Sequence, residues 1–77
     1  MNARPTKRSL TLRGHRTSVS LEDPFWQAVR EIAEEKRKSV NMLCAEIDAK
    51  RDLDTGLATA IRLFVLDHYR KKAQASG

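Results

Sequence analysis

The sequence predicts a mainly α-helical domain with a single β-strand, built as a homodimer whose two strands pair with each other. Three observations carry this. Residues 15–21, HRTSVSL, alternate in polarity and run straight into a helix start at Asp23-Pro24. Little else in the 77 residues reads as a strand. The last helical stretch, GLATAIRLFVLDHY, is apolar nearly all round, more than two other short helices of one chain can cover. A chain this short forms one small domain at most and needs help to be stable. Cys44 is the only cysteine, so a disulfide is not that help. Oligomerisation is.

Residues 1–13 read as a basic disordered arm. MNARPTKR has one proline and no apolar periodicity. SLTL, 9–12, can fold back on the strand through a turn at Arg13-Gly14, but four residues with a one-sided pattern make a poor strand. The domain proper then covers 14–72. In the strand at 15–21, Thr17, Val19 and Leu21 point one way and Arg16, Ser18 and Ser20 the other. Asp23 is a good N-cap and Pro24 a good first helical residue. The helix they start, about 23–36, places Phe25, Val29, Ile32 and Ala33 on one stripe with Trp26 alongside. It ends in EEKRK, without the glycine that often closes a helix. Ser39 caps a second helix, 39–50, with Val40, Leu43, Cys44 and Ile47 at i, i+3, i+4 and i+7. Asp54 or Thr55 caps a third, 55–71, and residues 73–77 form a disordered tail.

The charge is localised. Residues 1–21 carry Arg4, Lys7, Arg8, Arg13 and Arg16 and no acid, while ten cations and ten acids cancel from Glu22 onward, so the net +5 belongs to the N-terminal segment. A basic segment beside a neutral body suits a polyanion, by phosphate neutralisation and counterion release. No apolar run is long enough to cross a membrane and no signal core opens the chain, so a cytoplasmic protein without a membrane partner is expected. Cys44, in an apolar stripe, reads as a core thiol in a reducing setting. His15 and His68 are too far apart to propose a metal site, no nucleophile–base arrangement is legible, and no glycine-rich phosphate loop exists. The chain is therefore read as no enzyme, with no metal and no cofactor.

An unpaired strand is a template for another chain, and a two-fold axis supplies the simplest partner, its own copy. The apolar faces then meet the helices, with Val19, Leu21, Trp26, Ile61, Phe64 and Val65 as the expected dimer core. The other face presents Arg16, Ser18 and Ser20 from each chain. At a rise of about 3.3 Å per residue, Arg16 to Ser20 spans roughly 13 Å. The major groove of DNA is about 12 Å wide and admits a two-stranded ribbon. Arginine bridges guanine O6 and N7, and serine hydroxyls serve several base edges. Any solvent-facing sheet needs polar residues; the pairing, the localised charge and the apolar third helix together turn the reading to double-stranded DNA. Arg13 and His15, flanking the strand start, are expected at phosphates.

RTSVSLEDPFWQAVREIAEEKRKSVN resembles the ribbon-helix-helix superfamily of bacterial DNA-binding proteins, relatives of the Arc, MetJ and CopG repressors. Within it VREIAEEKRKSVN, 29–41, is most similar to the end of the first helix, the turn and the start of the second. GHRTSVSLEDPFW, AEID at 45–48 and AIRLFVLDHYR at 60–70 resemble a subfamily of small bacterial proteins in that superfamily. The resemblance implies an intertwined homodimer with an intermolecular two-stranded antiparallel ribbon. It implies Arg16, Ser18 and Ser20 as base readers. It also implies a phosphate held by the backbone N–H groups of Ser39, Val40 and Asn41, where the positive end of a helix attracts anions. Two features depart from the pattern. The usual turn glycine is replaced within KRK, and there is one helix too many. Residues 54–69 resemble the family's second helix at least as much as 39–50 do, in which case the clamp moves to 55–57. The expected function is a sequence-specific transcriptional regulator, a repressor, acting as a dimer or a pair of dimers. The alternative is an antitoxin that neutralises a toxin-type protein partner and autoregulates its operon, although RKKAQASG is a short segment with which to wrap one. As an obligate dimer, the protein should gain thermal stability with concentration.

Overall fold

The strand finds its partner in its own chain. In the computed structural model, which describes residues 4–76, β2 (His15–Leu21) pairs antiparallel with β1 (Thr6–Leu12). Arg13 and Gly14 between them have φ of 53° and 83°, both positive as in the I′ turn whose twist suits a tight hairpin. The two-stranded ribbon is thus intramolecular, and residues 6–12 of the expected disordered arm are strand; residues 1–3 lie outside the described residues. The physical reason is a second alternation in register with the first. Leu10 and Leu12 fall on the face shared with Val19 and Leu21, and all four are buried.

Three helices follow, α1 (Asp23–Glu35), α2 (Val40–Lys50) and α3 (Leu57–Ser76). Asp23 is the first helical residue rather than the cap, which is Glu22 without a side-chain cap bond. The Asp23 carboxylate instead accepts from the guanidinium of Arg8 on β1. α1 closes without glycine because Arg37 takes the left-handed conformation, φ 56°. The Arg37 N–H donates to the Glu34 carbonyl at 3.1 Å and the Lys38 N–H to the Ala33 carbonyl at 2.9 Å. These are the two bonds of a Schellman end. Ser39 caps α2 as expected, its Oγ accepting the Met42 N–H at 3.0 Å. Ahead of α3 the Gly56 carbonyl accepts the Ala60 N–H at 3.0 Å, so Gly56 holds the place expected of Asp54 or Thr55. α3 continues past the expected end at 71 into the expected tail. RKKAQA are good helix formers, and no glycine or proline intervenes before Gly77.

The core gathers Leu10, Leu12, Val19 and Leu21 from the hairpin, Val29, Ile32 and Ala33 from α1, Leu43, Cys44 and Ile47 from α2, and Ile61 and Val65 from α3. Of the residues expected at a dimer core, Val19, Leu21, Ile61 and Val65 are buried within this one chain, and Trp26 and Phe64 pack partly buried against them. The apolar third helix is covered on one side within the chain, while Leu63 and Leu66, 57% and 52% exposed, face outward. Burial pushes the Cys44 thiol up to about 11, which keeps it protonated and inert. Polar ties cross the rim. Arg62 donates to both Glu22 oxygens at 2.9 and 3.0 Å and lies over the Phe25 ring. Glu35 accepts from Lys72 Nζ at 2.5 Å and meets His68 Nε2 at 3.1 Å.

Candidate nucleic-acid interface

Alternation places one face of the hairpin on the core and leaves the other to solvent. On the outward face the register sets Lys7 opposite Ser20, Ser9 opposite Ser18 and Thr11 opposite Arg16, all exposed. The three expected base readers therefore share one surface. Half of that surface was missed by sequence reasoning: Lys7, Ser9 and Thr11 come from β1. Their signal was the period-two alternation of KRSLTL joined to Arg13-Gly14, a two-residue turn that dictates which residues face each other. No acidic side chain lies on this face. Among the N-terminal cations, Arg8 points the other way; it pairs with Asp23 and lies 5.3 Å over the Trp26 ring, so it belongs to the fold.

The expected phosphate contacts divide. Arg13 sits exposed at the tip of the hairpin. His15 has the parity of Thr17 and Val19, so it projects from the face opposite Arg16, beside a hollow that Asp48, Arg51 and Leu57 also line. Ser39, Val40 and Asn41 open α2 next to the ribbon. There the Asn41 Oδ1 accepts the Thr11 N–H at 3.1 Å, fixing the first turn of α2 to the outer edge of β1. The Ser39 hydroxyl is already occupied by Met42. At the other helix start, the Thr55 N–H bonds the Asp52 carbonyl at 3.0 Å and the Thr55 carbonyl takes Arg51 Nη1 at 2.7 Å. Of the two candidate anion sites, the α2 start is the one hydrogen-bonded to the ribbon.

Several acidic groups of the body pair with cations of the body. Glu46 accepts from Lys38 at 2.8 Å, and Glu22 and Glu35 hold Arg62 and Lys72; each hydrogen bond keeps its carboxyl below the usual range. On the hairpin, Lys7, Arg13 and Arg16 make no ion pair among the described residues. Among the described residues no group of histidine, cysteine and carboxylate side chains is placed to hold a metal ion, and no helix is long and apolar enough to cross a membrane.

A family model described as a ribbon-helix-helix domain matches residues 5–69, from just before β1 into α3. No curated protein and no solved structure matches the chain.

Proposed function

The chain belongs to the ribbon-helix-helix domain family, and on that premise we propose that it is a sequence-specific DNA-binding transcriptional regulator, a repressor, that works as a homodimer. The observation that carries this reading is the outward face of the hairpin, where an acid-free polar surface is braced from behind by the core. Arg16, Ser18 and Ser20 are the base readers. Arg13 and the free N–H groups at the start of α2 hold phosphates on either side, and the Asn41–Thr11 bond keeps that start in step with the ribbon. Dimerisation uses the outer edge of β2. In a hairpin closed by the Leu12–His15 pair, the backbone groups of Arg16, Ser18 and Ser20 point away from β1. Two copies joined antiparallel about Ser18 form about six bonds between these edges, with each Arg16 opposite the other copy's Ser20 and no like charges facing.

Selection of bound duplexes from a random pool tests the reading. Enrichment of a short motif with two-fold or tandem symmetry is expected; salt-sensitive binding with no enrichment would refute it.

A second reading, a module that neutralises a protein partner, is favoured by one observation. Leu63 lies exposed on the lip of a groove of about 490 Å³ between α2 and α3, floored by Leu43, Ile47, Ala60 and Phe64. Leu63→Glu separates the two: it should abolish capture of a protein partner and leave operator binding intact.

A further inference from the structure

We propose that β1 forms the outer strands of a four-stranded sheet in the DNA-bound dimer, and that Lys7 is a phosphate contact at the wall of the major groove. The proposal rests on the reading above, that two copies meet through β2 and read bases. Its starting point is which edge of the hairpin is open. The outer edge of β1 is occupied at Thr11 by Asn41 of α2. The outer edge of β2 has no such partner among the described residues. A second copy therefore adds on the β2 side, giving the order β1-β2-β2-β1.

Width then assigns the roles. Neighbouring strands lie about 4.8 Å apart, so the two inner strands are about 5 Å apart and the two outer ones about 14 Å. The groove is about 12 Å wide. The inner strands, with Arg16, Ser18 and Ser20, fit the floor, while the outer strands sit over the sugar–phosphate walls. The side chains match this division. The inner strand carries arginine, whose planar fork suits guanine; the outer strand carries lysine, a point charge on a flexible stem that suits phosphate oxygens, beside the hydroxyls of Ser9 and Thr11. Lys7 is exposed and makes no ion pair among the described residues, so its charge is available. A hairpin acting alone would instead place Lys7 over the bases.

The test uses the full chain and its Lys7→Ala, Lys7→Arg and Arg16→Ala variants. Each is titrated with the selected operator, with single-base variants of it, and across a salt series, the fold being monitored by circular dichroism. Lys7→Ala should weaken every duplex by the same factor, keep their ranking, and lower the slope of log affinity against log salt by about 1.8 per dimer. Lys7→Arg should restore that slope. Arg16→Ala should instead change the ranking at a guanine position. A changed ranking with Lys7→Ala would overturn the proposal, and so would an unchanged salt slope. Indifference of the unaltered chain to sequence would be a different failure, that of the base-reading premise itself.

Discussion

Arg13 is the residue at which folding and the proposed phosphate contact are set against each other. It is a β-hairpin turn residue with φ 53°, followed by Gly14 with φ 83°. The left-handed conformation costs an ordinary L-residue about 1–2 kcal/mol, whereas asparagine tolerates it, and Asn-Gly is the preferred pair for this turn. The Arg13→Asn variant should therefore be more stable by about 0.5–1 kcal/mol. At roughly 4–8 °C per kcal/mol for a domain of this size, Tm should rise by about 2–8 °C at fixed protein concentration. The same change removes one cation from each hairpin tip. If Arg13 neutralises one phosphate per protomer, the salt slope of DNA binding should fall by about 1.8 per dimer, without a change of base preference. Thermal melts and salt-dependent titrations read the two effects separately. A lower or unchanged Tm would refute the turn assignment and with it the intramolecular ribbon. A raised Tm with an unaltered salt slope would leave the turn intact and remove Arg13 from the interface.

Arg37→Gly should also stabilise the fold, by up to about 1 kcal/mol, since glycine adopts the conformation now imposed on an arginine; chemical denaturation measures it, and a loss of stability would mean the Arg37 side chain matters more than its backbone. Leu21→Ala or Ile61→Ala, each opening a fully buried site, should cost about 2–5 kcal/mol in the same assay. Acid should destabilise the protein. Glu22, Glu35 and Glu46 have carboxyls held below their ordinary 4.5, so their contribution is complete above that pH and is lost as pH falls through the lowered values. Glu22→Gln should shrink the acid-induced fall in Tm, and an identical profile would remove the Arg62 pairing as a cause. Because the core closes within one chain, dilution that separates the proposed dimers in sedimentation should leave the helical signal intact; helix loss in step with dissociation would bear out the obligate dimer expected from sequence.

Much of this architecture was legible. Period-two and period-3.6 patterns located β2 and all three helices, and Ser39 announced the start of α2. β1 was not legible as a strand because its alternation passes through Arg8, a charged residue facing the core side. Its acceptor, Asp23, lies fifteen residues away and was read as a helix cap. No local pattern reveals a pairing of that kind. The position of His15, by contrast, was available from parity alone. The all-round apolar character of α3 suggested all-round burial, but apolar residues also populate surfaces, and one face of α3 remains outside the core. For the candidate interface, the outward placement of Arg16, Ser18 and Ser20 on β2 followed from alternation. The partners on β1 followed only once the turn fixed which residue faced which.

The two-residue connection at Arg13-Gly14 also bears on how such a protein is inherited and exchanged. A hairpin closed by so short a loop forms within microseconds and requires no encounter with another molecule. Each newly made chain can thus close its hairpin alone, and in the dimer proposed above assembly is the docking of hairpins already formed. Pieces that dock without unfolding are able to trade partners. On the reading proposed above, two diverged copies in one cell would mix through their shared β2 edges, each keeping the bases its own strand prefers, and the mixed pair would recognise a site that neither parent reads.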